Sequence, residues 1–159
     1  MPVYRVLFVC MGNICRSPAG EGIFRHLVER DGLSDTIAYD SAGTIGFHEG
    51  NPPDSRMRAA ALKRGVELVS QARQIRQTDL DTFDLILTMD DENYGNVQAL
   101  AQTDEHLKKV RRFCAYCTDH SETEVPDPYY GGARGFEHVL DLLEDGCEQV
   151  LKEAIEEIS

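Results

Sequence analysis

Short apolar runs alternate along this chain with stretches whose apolar residues recur at helical spacing. Residues 3–9 and 83–89 are rich in the β-branched and aromatic residues that favour strands. Apolar residues recur on one face from residue 136 to residue 158, which predicts a long amphipathic helix. Strands that alternate with helices join through right-handed crossovers. The sequence therefore predicts an α/β fold, with a parallel sheet that carries helices on both faces.

The whole chain, residues 1–159, fits a single domain. Its length can bury one substantial core, and no repeat, low-complexity stretch or linker divides it. The remaining elements are predicted from local patterns and turn residues: strands over residues 36–41 and 110–113, a helix capped by Ser17 with Pro18 as its first residue, a helix capped by Asp54, and a helix over residues 91–101.

The acidic side chains are concentrated in the C-terminal half of the chain. The formal net charge is -12, and residues 81–159 hold 19 of the 28 acidic but only 6 of the 16 basic side chains. Such a surface argues against nonspecific binding to nucleic acids or to anionic membranes. Residues 3–9 are too short for a membrane span and contain Arg5, and nothing in the sequence is typical of a signal peptide. We therefore expect a cytoplasmic protein with reduced cysteines and no membrane or nucleic-acid partner.

The segment from Cys10 to Ser17 connects the first predicted strand to the first predicted helix, where parallel sheets bind ligands. Gly12 and Asn13 tolerate positive φ, so this tight loop can turn its N–H groups inward and form an anion-binding nest. Arg16 adds a guanidinium that matches two phosphoryl oxygens. That positive surrounding favours a Cys10 thiolate, placed for attack on phosphorus. The alternative is a buried strand-end cysteine beside a surface arginine.

Five blocks of sequence together resemble the low-molecular-weight protein tyrosine phosphatases, in the order expected for that family. They are residues 9–18, 40–44, 72–75, 83–90 and 127–131. The resemblance implies a four-stranded parallel sheet, no cofactor and no metal. It also implies hydrolysis of phosphate esters through a phosphocysteine on Cys10, with Arg16 binding the phosphate. The other loop positions that the resemblance assigns to phosphate binding are Met11, Gly12, Asn13, Ile14, Cys15 and Ser17.

The resemblance also implies roles for four further contacts. Asp127, flanked by two prolines, falls on the family's proton donor, although the bare sequence favours a simple turn there. Asn13 is expected to be left-handed and bonded by Ser41, and Ser17 to donate to the Cys10 thiolate. Asp90 is expected either to orient Arg16 or to cap the next helix.

The resemblance also implies a substrate pocket shaped as a slot for a flat ring. Phe47 is expected on one wall of the substrate pocket, with Tyr129 and Tyr130 on the other. Ile14 favours aryl phosphates, since protein-arginine phosphatases resemble this loop with a threonine there. Residues 69–71 lack the histidine that supports the loop in several relatives. The family's pair that matches Cys10 and Cys15 can close into a disulfide.

The main expectation is a monomeric phosphatase that acts on phosphotyrosine-containing proteins. Four alternatives remain beside it: two related enzymes, a binding module and a zinc site. A protein-arginine phosphatase and an arsenate reductase share the superfamily, but the reductase needs a redox cysteine pair that residues 70–90 lack. A noncatalytic phosphotyrosine-binding module would not need both Cys10 and Asp127. Cys114, Cys117 and His120 offer three soft ligands, whereas a structural zinc site normally has four.

Overall fold

A computed structural model describes residues 3–129 and 131–159 of the chain. Its sheet has four strands, all parallel, in the spatial order β2-β1-β3-β4. The predicted parallel α/β fold with four strands is therefore confirmed. The strands are β1 (Tyr4–Cys10), β2 (Ile37–Gly43), β3 (Leu85–Thr88) and β4 (Val110–Arg112).

Six α-helices connect and cover these strands within the described residues. The long, strongly amphipathic C-terminal helix and the helix after the first loop are the largest. The two shortest helices were not predicted, because four and six residues are too few to show a helical period. The helices are α1 (Arg16–Arg30), α2 (Ser55–Lys63), α3 (Asp79–Thr82), α4 (Asp91–Gln98), α5 (Asp104–Lys109) and α6 (Ala133–Ile158), and a short 3₁₀ helix spans Phe113–Tyr116.

The central strand β1 is buried on both faces of the sheet. On one face of the sheet, Val6 and Phe8 belong to the core that α1 and α6 cover. On the opposite face, Leu7 and Val9 belong to a second core, together with Leu80 and Ile86. A strand buried on both faces reads as a continuous apolar run and not as an alternating one. This explains the uninterrupted apolar sequence from residue 6 to residue 9 and confirms helices on both faces.

The carboxyl ends of the central strands meet at one edge of the sheet. Cys10 lies opposite Gly43, and β3 ends at Thr88, two residues before Asp90. The loops that follow β1, β2 and β3 therefore come together, as expected for the ligand-binding edge of a parallel sheet. Within the described residues, no helix has the length and apolar character needed to cross a membrane.

Candidate active site

The carbonyl groups of the loop between β1 and α1 accept hydrogen bonds from backbone N–H groups of neighbouring segments. The carbonyls of Cys10 and Met11 accept hydrogen bonds from the backbone N–H groups of Thr44 (2.9 Å) and Ile45 (3.1 Å). The carbonyl of Ile14 likewise accepts from the residue 54 N–H at 2.7 Å. A loop whose carbonyls are held on its outer side presents N–H groups to its interior, which suits an anion.

Asn13 is buried, and the chain of this loop changes direction at this residue. Its φ is 59°, the left-handed region that asparagine enters more readily than most residues. Its side-chain amide donates to Ser17 Oγ at 2.7 Å, and its Oδ1 accepts from the Arg73 backbone N–H at 3.0 Å. In this conformation the Asn13 N–H points at the Cys10 sulfur, 3.3 Å away.

Ser17 gives the Cys10 sulfur a second hydrogen-bonding neighbour. Ser17 Oγ lies 3.0 Å from Cys10 Sγ. Since the Asn13 amide already donates to this oxygen, the Ser17 hydroxyl is left to donate its own proton, either to the sulfur or to the more distant Ala42 carbonyl at 3.4 Å. The Cys10 sulfur therefore has two hydrogen-bonding neighbours, the Asn13 N–H and the Ser17 hydroxyl.

Arg16 is a nearly buried cation that joins three loops. Its Nη1 donates to Asp90 Oδ2 at 2.6 Å and to the Val125 carbonyl at 3.1 Å, and its Nη2 lies 3.8 Å from Asp127 Oδ2. Burial alone would lower the pKa of Arg16, but Cys10, Asp90 and Asp127 outweigh it and raise that pKa. Arg16 is therefore charged and is aimed into the loop.

Asp90 satisfies both of the roles expected for it. One carboxylate oxygen holds Arg16, and the other accepts the Asn93 N–H at 2.8 Å as the N-cap of α4. The two expectations were alternatives in the sequence, and the structure combines them because a carboxylate has two oxygens.

Asp127 lies at the rim of the same site. Its Oδ1 accepts the Tyr129 backbone N–H at 3.0 Å, which is the turn that the sequence alone favours. Its other oxygen faces Arg16, and the side chain is 38% exposed. The carboxyl group therefore shapes the turn with one oxygen and keeps the other available at the cavity.

Cys10, Arg16 and Asp127 line a common cavity of about 230 Å³. Phe47 and Tyr129 lie on its walls as expected, and Phe47 is 83% exposed. Ile45 and His48 also line it, although no motif of the sequence singled them out. Tyr130 lies outside the described residues. The full lining is Cys10, Met11, Gly12, Ile14, Cys15, Arg16, Ile45, Phe47, His48, Asp127 and Tyr129.

Comparison with known proteins identifies the family. The sequence model of the family of low molecular weight phosphotyrosine protein phosphatases matches residues 5–159 of this chain. The chain belongs to this family. A low molecular weight protein-tyrosine-phosphatase from Bacillus subtilis is 44% identical over 147 residues, which are 92% of each chain. A crystal structure of a protein tyrosine phosphatase from Entamoeba histolytica, with Hepes in its active site, has 40% identity and a TM-score of 0.94, and the match covers 98% of this chain and 99% of the other.

Membership makes the protein a cysteine-based hydrolase that acts on phosphoproteins. The structure of an arginine phosphatase from Drosophila is less similar, with 31% identity and a TM-score of 0.86 over 93% of this chain and 96% of the other. The comparisons do not favour the protein-arginine phosphatase or arsenate reductase alternatives over a tyrosine phosphatase.

Two expected contacts of this phosphatase are wrong. Ser17 was expected to cap α1, but the helix begins at Arg16 and Cys15 occupies the N-cap position. Helical backbone at residue 16 turns the Ser17 hydroxyl inward, toward Cys10. Ser41 was expected to bond Asn13, but its hydroxyl donates to Glu21 Oε1 at 2.6 Å.

Asn13 is supported instead by the backbone of Arg73. The Arg73 N–H binds Asn13, and the Arg73 carbonyl accepts the N–H of Gly43 at 2.8 Å. The Arg73 guanidinium is itself held by Asp40 and Asp79. The loop of this phosphatase is thus tied through Arg73 to the end of β2.

Asn13→Ala should weaken phosphate binding. The substitution leaves the N–H of the half-buried Arg73 without its acceptor and releases Ser17. A polar group left without its partner away from water costs about 1–3 kcal/mol, so the inhibition constant of inorganic phosphate should rise roughly five- to 150-fold. The measurement is competitive inhibition of aryl phosphate hydrolysis.

Two further variants separate the causes of that effect. Asn13→Gly keeps the positive φ but lacks the amide, so it should weaken phosphate binding as Asn13→Ala does. Ser41→Ala should leave the inhibition constant close to that of the parent. A strong effect of Ser41→Ala with little effect of Asn13→Gly would contradict the contacts described for this loop.

Proposed function

We propose that the protein hydrolyses phosphotyrosine in proteins, and small aryl phosphates, through a phosphocysteine intermediate on Cys10. The observation that carries this proposal is the convergence of two donors, Ser17 Oγ at 3.0 Å and the Asn13 N–H at 3.3 Å, on the Cys10 sulfur. Arg16 lies in the same cradle with its charge secured by Asp90. A thiolate at the floor of a cationic cradle is the arrangement that attack on phosphorus requires.

The first step transfers the phosphoryl group to Cys10. The thiolate attacks phosphorus, the bond from phosphorus to the phenolic oxygen breaks, and the N–H groups of the loop together with Arg16 bind the three phosphoryl oxygens. Asp127, protonated at this stage, donates its proton to the departing phenolate. Its place at the rim, where the leaving oxygen must pass, supports this role.

The second step releases inorganic phosphate. Asp127, now a carboxylate, accepts a proton from water as that water attacks phosphorus. The bond between phosphorus and sulfur breaks, and the electron pair returns to the Cys10 sulfur. The Ser17 hydroxyl, 3.0 Å away, stabilises that departing thiolate.

Cys15 has a different state from the proposed nucleophile, although it is in the same loop. Burial, followed by the charges of Asp54 and Cys10, raises the pKa of Cys15 to about 12. Cys15 is therefore a thiol at neutral pH, and we propose that Cys10 alone carries the phosphoryl group.

The shape of the cavity supports a preference for phosphotyrosine. Phe47 and Tyr129 provide aromatic walls, and Ile14 adds an apolar surface inside the loop. A flat ring between such walls brings its phosphate to the depth of Cys10. A phosphoserine side chain is too short to reach that depth unless peptide backbone enters the slot.

The setting of the reaction is also part of the proposal. All five cysteines are free, and a thiolate nucleophile needs a reducing compartment, so we place the protein in the cytoplasm. The acidic C-terminal half supports a mild preference for phosphotyrosine without acidic flanking residues.

Asp127→Asn tests the proton donor while it keeps the turn. The amide oxygen of asparagine can still accept the Tyr129 N–H, but asparagine cannot supply a proton. The kcat/KM for phenyl phosphate, which reports the first step, should fall about 10²- to 10⁴-fold, and the kcat/KM for 2,4-dinitrophenyl phosphate, whose leaving group needs no proton, should fall much less. Equal losses on both esters would show that Asp127 only shapes the loop.

Substrate preference is tested with matched phosphotyrosine, phosphoserine and phosphoarginine peptides. The phosphotyrosine peptide should have the highest kcat/KM. Phe47→Ala should raise KM for that peptide about two- to tenfold, because an aromatic contact is worth about 0.5–1.5 kcal/mol, with a smaller change in kcat. Leu62→Ala, which also truncates an exposed apolar side chain but lies outside the cavity, is the control. Comparable efficiency on phosphoserine or a preference for phosphoarginine would overturn the pocket assignment.

A further inference from the structure

Cys114 and Cys117 form a pair of thiols outside the active site. They lie in and directly after the 3₁₀ helix Phe113–Tyr116, which follows β4, and neither lines the active-site cavity. The Cys117 N–H donates to the Cys114 carbonyl at 3.1 Å, so the two residues close one 3₁₀ turn. Three steps of about 2.0 Å place the two Cα atoms about 6 Å apart, with the side chains stacked on one side. A disulfide spans Cα separations of about 4.4–6.8 Å.

The two thiols lie close enough to shift each other's pKa. The hydrogen bond that Cys114 receives from the Cys117 thiol lowers the pKa of Cys114, and the same bond raises the pKa of Cys117. Cys114 is almost buried, whereas Cys117 is half-buried and also approaches the Leu142 carbonyl at 3.5 Å. The two sulfurs therefore differ: Cys114 favours the thiolate and keeps a small exposed fraction, and Cys117 is the more exposed thiol.

His120 does not complete a metal site with this pair. Its Nδ1 lies 2.8 Å from Asp145 Oδ2, and the same carboxylate accepts the backbone N–H groups of residues 118, 119 and 120. Across residues 3–129 and 131–159, no three His, Cys, Asp or Glu side chains are arranged to hold a metal ion. The third soft ligand that the sequence offered is committed to a carboxylate.

Cys147 is not a competing partner for the dithiol. It is fully buried, its sulfur approaches the Gly20 carbonyl at 3.7 Å, and burial raises its pKa well above the usual value. A buried thiol of this kind is inert toward oxidants.

We propose that Cys114 and Cys117 are a second oxidation site, which hydrogen peroxide converts reversibly into an intramolecular disulfide. The Cys114 thiolate attacks one oxygen of the peroxide, the O–O bond breaks, and a sulfenic acid and one water form after protonation. The Cys117 thiol then attacks the sulfenic sulfur, the S–S bond forms, and a second water leaves. Two electrons pass from the pair to the peroxide, and a dithiol reductant restores both thiols.

The disulfide would fix the start of the segment that leads to the active site. Cys117 is followed by residues 118–125, and the far end of this segment supplies the Val125 carbonyl that accepts from Arg16. The proposal itself does not rest on the phosphatase mechanism, because neither sulfur touches the phosphate loop.

Peptide mapping of the parent chain tests this directly. Trypsin cleaves after Arg112 and Arg134, so one peptide, residues 113–134, carries both cysteines, whereas Cys10 and Cys15 lie in peptide 6–16 and Cys147 in peptide 135–152. The protein is treated with hydrogen peroxide, alkylated in denaturant and digested without reductant. Peptide 113–134 should lose two hydrogen atoms and both alkylation sites, and dithiothreitol before alkylation should restore both sites.

Three variants assign the bond. Cys114→Ala and Cys117→Ala should each abolish the lighter form of peptide 113–134. Cys147→Ala, which removes a thiol of the same neighbourhood, should leave that form unchanged. Two alkyl groups on peptide 113–134 after peroxide, addition of oxygen without loss of hydrogen, or a cross-link to peptide 135–152 would each overturn the proposal. The parent chain alone gives this readout if a variant does not fold.

Discussion

The left-handed turn at Asn13 is the constraint on which the site depends. A non-glycine residue in this conformation costs about 1–2 kcal/mol. Three hydrogen bonds of Asn13, to Ser17, Arg73 and the Cys10 sulfur, offset that cost, since each contributes about 1 kcal/mol. Without this turn, the loop would neither point an N–H at Cys10 nor leave the Ser17 hydroxyl free to do the same.

The second constraint is the buried charge of Arg16. A cation removed from water must be paired, and the pairing here comes from elements that are distant in sequence. Asp90 follows β3, and Val125 is held by its own N–H to the Met89 carbonyl at 2.7 Å. Arg16 therefore fastens the loops after β1 and β3 and the approach to Asp127 into one unit. The proposed acid reaches the proposed nucleophile because the same guanidinium holds the segments that carry both.

Much of this architecture could be predicted from the sequence because its signals are local. The apolar run of β1 indicates burial on both faces of the sheet, and the Gly12-Asn13 pair indicates a tight turn before a helix. The resemblance placed Asp90 and Asp127 at the site, and the structure adds that each uses one oxygen for local backbone and one toward Arg16.

The errors concern hydroxyl groups and short elements. A serine hydroxyl can bond any of several neighbours, and only the tertiary structure decides which. Ser17 contacts Cys10 and does not cap the helix. Ser41 donates to Glu21 and not to Asn13. Ile45 and His48 carry no signature residue type, so only their position after β2 could have indicated the cavity. The same limit applies to Cys114 and Cys117, since sequence spacing alone does not show whether His120 joins them.

The central claim, a covalent intermediate on Cys10, is tested most directly by rapid-quench mass spectrometry. Asp127→Asn with 2,4-dinitrophenyl phosphate is the suitable combination, because formation of the intermediate needs no proton donor whereas its hydrolysis loses its base. The account predicts a phosphoryl group on peptide 6–16 within the first turnover, assigned to Cys10 by fragmentation and absent from Cys10→Ser. Turnover with no phosphoryl group on Cys10, or appreciable turnover by Cys10→Ser, would contradict it.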